Sequence, residues 1–372
     1  MILEAEKKLT SVEEAPYRAE LVCSPGEICR LSEDASYLLK EQAGTRDPHV
    51  FLASIDGKAW LPRVVVIARA GSTVGIVYAK ERRLAGIPSG LIYADATLGA
   101  MVLASPVDRE LVLKAGLSRL IDHVGTRGLR VVVPPIGYER DVIQGIVDLR
   151  SMDVHYASVR NHCVLNLPPS YDAFLETLGR QTRRNFRYYR RRFESLGNTY
   201  FQDVPLAEFR RVASDLLKKS VFGAEHDGVE RALRILSASR CPILAGLRHK
   251  NGEWLSILGG WYELDRAVAF IQMNNDRDYP RSALCTVLRG YLIERLIAKN
   301  ISSLLFWAGV GGSLCRYCQF IPAVCAHMDV PTFTWRTLRG AIGWMNGVLP
   351  ARFLGASTWV APRMNHPEGT ID

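Results

Sequence analysis

The sequence predicts an α/β (α+β) fold built from two similar domains, each a mixed, mostly antiparallel sheet flanked by helices. Three observations carry this. The chain has 372 residues, more than one hydrophobic core usually organises. Its composition is ordinary for a globular protein, 48% apolar and 23% charged. The order hairpin, strand, helix, strand occurs twice, roughly 170 residues apart, a period too long for a solenoid and suited to a duplicated domain.

In the first half, Arg63 to Ala68 is a β-branched run, Ala70-Gly71-Ser72 reads as a turn, and Val74 to Ala79 as the hairpin partner. Met101 to Ala104 is a short apolar strand. Ser105-Pro106 opens a helix over about 108–124, acidic in its first turn and closed by Gly125 and Gly128. Leu129 to Val133 then reads as a buried strand.

The second half repeats the order. Pro242 to Leu247 and Leu255 to Tyr262 form a hairpin, Ala267 to Met273 a strand, Asn274 to Arg281 a polar loop, Ala283 to Ala298 a helix and Ser303 to Trp307 a strand. The expected domains are 1–155, 156–330 and a C-terminal extension, 331–372, that packs back on them. Aromatics alternating with arginines in that extension would also suit a membrane interface.

Between the halves, one helix is expected over Tyr171 to Leu196. Phe174, Leu175, Leu178, Phe186, Tyr189, Phe193 and Leu196 share a face, while Arg180, Arg184, Arg187 and Arg191 share the opposite one. A solvated face normally mixes signs. A stripe so poor in acids fits an acceptor or other anionic surface as well as it fits water.

The stretch Leu167-Pro168-Pro169-Ser170-Tyr171-Asp172-Ala173-Phe174-Leu175, running into Arg180-Gln181-Thr182-Arg183-Arg184-Asn185-Phe186-Arg187, resembles the GNAT acetyltransferases typified by CelD proteins. These are distant relatives of the FemAB/FemX transferases, which carry two GNAT folds in one chain. A second match runs from Asp278-Tyr279-Pro280-Arg281-Ser282-Ala283 through the next helix to Phe306-Trp307-Ala308-Gly309-Val310-Gly311-Gly312. The likeness spans about residues 160 to 325, and the first half follows it by pattern only. Two positions depart from the family: Arg281-Ser282-Ala283 replaces Ser-Pro-Gly, and Arg316-Tyr317 replaces Tyr-Lys.

The resemblance implies an acyltransferase whose first domain is degenerate and whose second binds acetyl-CoA or a longer acyl-CoA. Arg277, Arg281, Ser282 and Ala283 would hold the pyrophosphate at a helix start, where free N–H groups and the dipole favour anions. Main-chain groups around Met273 and Asn274 would polarise the thioester carbonyl. Tyr317 matches the tyrosine that protonates the leaving thiolate; its bland alternative is a half-buried tyrosine between core and water. Glu225 and His226, in a polar segment between glycines, are candidates for the base that takes the amine proton. Their alternative is a surface turn capping the following helix through Asp227.

No metal is expected. Cys315-x2-Cys318-x6-Cys325-x-His327 supplies zinc-ligand types, but its spacer is short and its end falls on a strand carrying core residues. Gly309-x-Gly311-Gly312 lacks the full dinucleotide fingerprint. The charged N-terminus has no signal-peptide core, and the eight scattered cysteines suit a reducing, cytoplasmic compartment. The net charge of +9 allows peripheral contact with an anionic inner membrane face. Nucleic acid ranks behind acyl-CoA and an unidentified amine acceptor as a partner. Two other readings stand beside the first: a Fem-like transferase using aminoacyl-tRNA, and a non-catalytic basic module binding nucleic acid or membrane.

Overall fold

The computed structural model describes residues 17–41, 46–95, 101–123, 125–150, 152–220, 226–263, 265–307, 310 and 312–329. Chain order begins with β1 (Arg18–Val22), α1 (Pro25–Asp34), α2 (Ser36–Glu41) and α3 (Pro48–Ser54). The first repeat follows: β2 (Trp60–Arg69), β3 (Ser72–Leu84), β4 (Ile87–Asp95), β5 (Val102–Ala104), α4 (Arg109–Ile121), β6 (Gly128–Val133) and α5 (Tyr138–Arg150). The linking elements are β7 (Asp153–Asn166), α6 (Tyr171–Thr177), α7 (Arg180–Ser195), β8 (Thr199–Phe201), α8 (Leu206–Lys219) and α9 (His226–Ala238). The second repeat is β9 (Pro242–Arg248), β10 (Trp254–Glu263), β11 (Arg266–Asn274), α10 (Leu284–Ala298) and β12 (Ser303–Phe306), followed by β13 (Gln319–Asp329).

Among the described residues thirteen strands join one mixed sheet in the order β1-β2-β3-β4-β6-β13-β7-β12-β11-β10-β9-β8, with β5 against β3. Both repeats end in a parallel pair, β4 with β6 and β11 with β12, and each places its crossover helix between the two strands in sequence. β13 returns between β6 and β7, pairing antiparallel with both. The two repeats are therefore one continuous surface, and the expected boundary at 155/156 falls inside β7.

Helices cover both faces. In the first repeat α4 and α5 bury their apolar sides against Val77, Ile92, Leu129 and Val131. The other face is closed by α1, whose Ile28 and Leu31 meet Val64, Ile76 and Leu103. In the second repeat α6, α7 and α10 share a core on one face around Phe174, Phe186, Leu288 and Leu292. On the other, α8 and α9 pack Phe209 and Leu233 onto Ile257 and Trp261. β6 is buried at every position, which accounts for its apolar reading on either side of Arg130. Its Arg130 is held by Asp329 at 2.8 Å.

The single helix expected over Tyr171 to Leu196 is two helices. Leu178 takes an extended conformation and Gly179 becomes the N-cap of α7, so the chain turns between them. The apolar period continues across the break: Phe174, Leu175, Leu178, Phe186 and Phe193 are buried, and only Leu196 of the expected face is exposed. The break also frees an N–H at Gly179 that a continuous helix would have used.

Candidate active site

β11 and β12 pair over only four residues. Arg266 to Ala269 lie beside Ser303 to Phe306, and Trp307 N donates to Ala269 O; β11 then runs on through Asn274 without β12 beside it. A bulge initiates this divergence. Gly259 pairs Ile271 and Gly260 pairs Ala269, leaving Phe270 as the extra residue. A side chain at Gly260 would place its Cβ 1.9 Å from Val268 O, so glycine is required there for backbone to approach backbone.

The bulge sets which side chains face each side of the opening. Phe270, Ile271 and Met273 belong with the α8–α9 core. Gln272 turns toward α10, where its Oε1 accepts from Arg289 Nε at 2.9 Å, while Asn274 Oδ1 accepts from Ser256 Oγ of the neighbouring strand β10 at 2.6 Å. Arg289 also stacks over the Phe306 ring, 5.3 Å from its centroid, so it spans the gap between the diverging strands.

The loop from Asn275 to Ala283 is pinned from below. Asn275, fully buried, donates to Glu253 and Asp278, and its main-chain N–H donates to Leu255 O. Lys219 bridges Glu253 at 2.7 Å and Asp278 at 3.0 Å. The hydrogen bonds from Asn275 and Lys219 hold the Asp278 carboxyl below its ordinary range. Asp276 differs: partial burial raises its pKa, and its Oδ2 is buried without a hydrogen-bond partner.

Of the residues expected to bind the donor, Arg277 and Arg281 are exposed on this loop, while Met273 and Asn274 are buried at the end of β11. Ser282 does not cap the helix. The N-cap is Ala283, in a left-handed conformation (φ 47°, ψ 43°) with no side-chain cap. L-residues adopt that region at a cost of about 1–2 kcal/mol, and glycine is what the resembling family often has there. Arg192, near the end of α7, reaches Arg281 O at 3.4 Å. Three guanidinium side chains, Arg192, Arg277 and Arg281, thus belong to the segments bordering the start of α10.

Tyr317 closes a short 3-10 turn, Ser313–Tyr317, after β12. Its hydroxyl accepts from Gly179 N at 2.8 Å and lies 3.4 Å from Thr182 Oγ1, so it sits on the N-terminus of α7. These two hydrogen bonds, Thr182's first, lower the phenol pKa. A Cβ at Gly179 would come within 2.9 Å of this oxygen. Tyr317 therefore sits at the start of α7, and Arg281 is contacted from its last turn.

Arg180, Arg184, Arg187 and Arg191 are exposed on α7 as expected. Arg190, beside the stripe, pairs with Glu194 and Glu294 and stacks over Tyr291. His226 opens α9 instead of lying in a loop, and Asp227 is inside its first turn. The His226 side chain, Glu225 and the expected C-terminal extension lie outside the described residues.

The Cys315 to His327 series does not converge. Cys325 joins Val132 and Ala323, and the His327 ring stacks on His155 with centroids 4.4 Å apart. Cys315 and Cys318 instead adjoin Cys163, and burial pushes the Cys318 thiol up to about 12. Among the described residues, no group of three or more His, Cys, Asp or Glu is placed to hold a metal ion. None of the described helices is long and apolar enough to cross a membrane.

On the face away from α10 lies a cavity of about 320 Å³ that sequence reasoning missed. Trp261, Phe270 and Trp307 form its wall on the second repeat, and Trp60, Lys80 and Tyr93 its wall on the first. α3 and α9 close over it, joined where Arg234 Nε donates to Ala53 O. Its residues are scattered from 50 to 307, and only pairing across the long sheet brings them together.

No family model and no curated protein matches the chain. Solved structures do. L-PGS from Bacillus licheniformis aligns with a TM-score of 0.55 at 12% identity, covering 87% of this chain and 95% of that one. FemX aligns at 0.57 and 10% identity, covering 82% and 96%. The C-terminal DUF2156 domain of a putative lysylphosphatidylglycerol synthetase from Agrobacterium fabrum aligns at 0.54 and 14%, covering 82% and 92%. At these identities the likeness concerns fold: the chain has the tandem GNAT-like, mixed α/β fold that the family resemblance implied, although the strand parallel to β6 is β4 and not the expected Met101 to Ala104.

Proposed function

We propose that this protein is a GNAT-type acyltransferase, of the CelD-like kind its sequence resembles, that moves an acyl group from a CoA thioester directly to an amine. The observation carrying this reading is the opening of β11 from β12 after Ala269. Separating two parallel strands leaves main-chain hydrogen-bonding groups of a rigid sheet exposed to a ligand, where they can polarise a carbonyl without reorganising.

The donor lies along the α10 side. Its pyrophosphate meets the start of α10, bordered by Arg277, Arg281, Ser282 and Ala283, with Met273 and Asn274 at the strand end nearest the thioester. The amine nitrogen attacks the carbonyl carbon, a C–N bond forms and the C–S bond breaks. The thiolate takes its proton from Tyr317, whose phenolate is stabilised by the Gly179 N–H and the Thr182 hydroxyl. The proton lost by the amine goes to Glu225 or His226, or to water. In this reading residues 156–330 bind the donor, and the first repeat shapes the acceptor side.

A second donor class has its own support. The exposed face of α7 carries Arg180, Arg184, Arg187 and Arg191, and Asp276 holds a buried oxygen without a hydrogen-bond partner near the start of α10. A basic row for RNA phosphates and a carboxylate for an α-ammonium are what an aminoacyl-tRNA would use. The same basic row would suit an anionic membrane face.

Thiol release from acetyl-CoA and longer acyl-CoAs, measured against a panel of amines, tests the first reading. Amine-dependent release with a mass-detected N-acyl product supports it. Aminoacyl transfer from aminoacyl-tRNA with no thiol release from any thioester, lost steeply as salt rises, would move the assignment to the second donor.

A further inference from the structure

Resting on the thioester-donor reading, we infer that the acyl donor arrives on an acidic helical protein, as the thioester of a phosphopantetheine arm, and that this protein docks along the exposed face of α7. Coenzyme A and such an arm share the pantetheine and the phosphate that follows it, so one opening serves both. The amine nitrogen takes the acyl group, the C–S bond breaks, and the thiol, protonated by Tyr317, stays on the carrier protein.

The charge on α7 argues first. Its residues include seven arginines and one acid, Glu194, which is occupied by Arg190 and Tyr291. Arg180, Arg184, Arg187 and Arg191 are exposed, and among the described residues none of the four has an ion-pair partner. Like charges three or four residues apart destabilise a helix, and here they recur as Arg180–Arg184, Arg184–Arg187 and Arg187–Arg191. Arg180 also opens the helix, at the positive end of its dipole, with no acid in the first turn. Packing holds α7 in place despite this, through Phe186 and Phe193 in the core shared with α10. The exposed face is left complementary to an anion supplied from outside.

The neighbouring side chains show what kind of anion. Arg180, Arg184, Arg187 and Arg191 lie within about 60° of arc and along about 16 Å of helix. Carboxylates at the same i, i+4, i+7 and i+11 spacing on a second helix alongside would meet them one for one. Bordering this row, Tyr188, Arg192 and Leu196 form a second exposed line at i, i+4 and i+8, with Tyr188 49% and Leu196 48% exposed. Tyrosine beside arginine is the composition of a protein contact. A phosphate backbone has no use for Leu196, and two apolar side chains are too few to seat the helix in a bilayer.

Placement ties this face to the donor. α6, α7 and α10 cover one face of the second repeat, and α8 and α9 the other. The start of α7 meets Tyr317 through Gly179, and Arg192 in its last turn reaches Arg281 O just before α10. A protein seated along α7 therefore lies on the side to which the thioester is assigned, with the phosphate of its arm at Arg192 and Arg281 and its thiol toward Tyr317. Free coenzyme A needs cations only at its nucleotide end. The row along the whole of α7 is more than it can use.

The probe is an acyl carrier protein loaded with an acetyl group and labelled with a fluorophore, titrated with the protein at low salt beside calorimetry with acetyl-CoA. The carrier protein should bind saturably, and more weakly as salt rises. An Arg184→Gln, Arg187→Gln, Arg191→Gln triple variant, folded by circular dichroism, should weaken it at least about tenfold and leave acetyl-CoA within about twofold. Tyr188→Ala should weaken it about fivefold without changing the salt dependence, as loss of an apolar contact would. No saturable binding of the carrier protein, or equal weakening of acetyl-CoA by the triple variant, would overturn the inference. So would tighter binding of uncharged tRNA or of phosphatidylglycerol vesicles, lost in the same variant. Acetyl-CoA bound while the carrier protein is ignored sinks this inference alone, whereas failure of both sinks the donor reading with it.

Discussion

The two repeats end in the same motif and use it differently. In the first, β4 and β6 stay paired from Leu91–Gly128 to Asp95–Val132, so β4 is held to its last residue. In the second, β11 outruns its pairing with β12 by the five residues from Phe270 to Asn274. One parallel pair is a closed structural seam and the other is an open cleft. The difference traces to local features: a bulge at Phe270, made possible by Gly260, and a short β12 that stops at Phe306. The repeat supplies two similar frames, and the irregularity distinguishes the one to which the proposed function assigns the donor.

The largest expected effect comes from closing that irregularity. Gly260→Val would force its Cβ into Val268 O, and we expect a loss on the order of 4 kcal/mol of stability, read as a lowered urea midpoint. A variant as stable as the parent would show that the bulge does not depend on glycine.

Next is Tyr317→Phe. It should lower the transfer rate about 10²-fold with the fold intact by circular dichroism. The parent requires the protonated phenol, so its rate should fall as pH rises through a pKa below the ordinary 10. The variant should lack that alkaline limb. An unchanged pH profile would return Tyr317 to a purely structural part, holding the start of α7.

Lys219→Met acts at one remove, by loosening the loop that Asp278 and Glu253 anchor. Donor KM should rise about fivefold, roughly 1 kcal/mol, with kcat nearly constant. Acid should act on the same contacts. The Asp278 pKa is depressed in the folded protein, so its contribution is complete above its ordinary value of 3.8 and is lost as pH falls through the lower folded value. Equal falls in kcat and kcat/KM would mean that the loop acts in the transition state instead.

The smallest effect concerns Ala283. Gly there removes left-handed strain of about 1–2 kcal/mol and adds unfolded-state entropy of about 0.5–1 kcal/mol, leaving a gain near 0.5 kcal/mol. A thermal shift of the opposite sign would show that the αL residue is held by packing.

Much of this frame was legible in the residues. The β-branched runs, the turn at Ala70-Gly71 and the acidic first turn of α4 each report their own local geometry, so β2, β3, α4 and β6 could be read directly. The loop before α10 was legible for the same reason, as a polar segment between an apolar strand and an apolar helix. Other parts, β4 and β13 among them, were not read, and three features show why. The break at Leu178–Gly179 hides because the apolar period continues through it, and the cap that stabilises it comes from Tyr317, far away in sequence. The bulge at Phe270 hides because it depends on which residue of β10 lies opposite. The cavity hides most completely, since Lys80, Arg231 and Trp307 share no motif and meet only when β13 returns between β6 and β7.

The central claim, one donor site per chain and that site in the second repeat, is tested most directly by calorimetric titration of acetyl-CoA and a longer acyl-CoA. The parent protein should be compared with an Arg277→Ala, Arg281→Ala double variant and with Arg109→Ala, at the start of the first repeat's crossover helix α4, as control. The account predicts a stoichiometry of one, an affinity reduced about tenfold or more in the double variant, and no change in the control. Two sites per chain, binding indifferent to the double variant, or no binding of any thioester would contradict it.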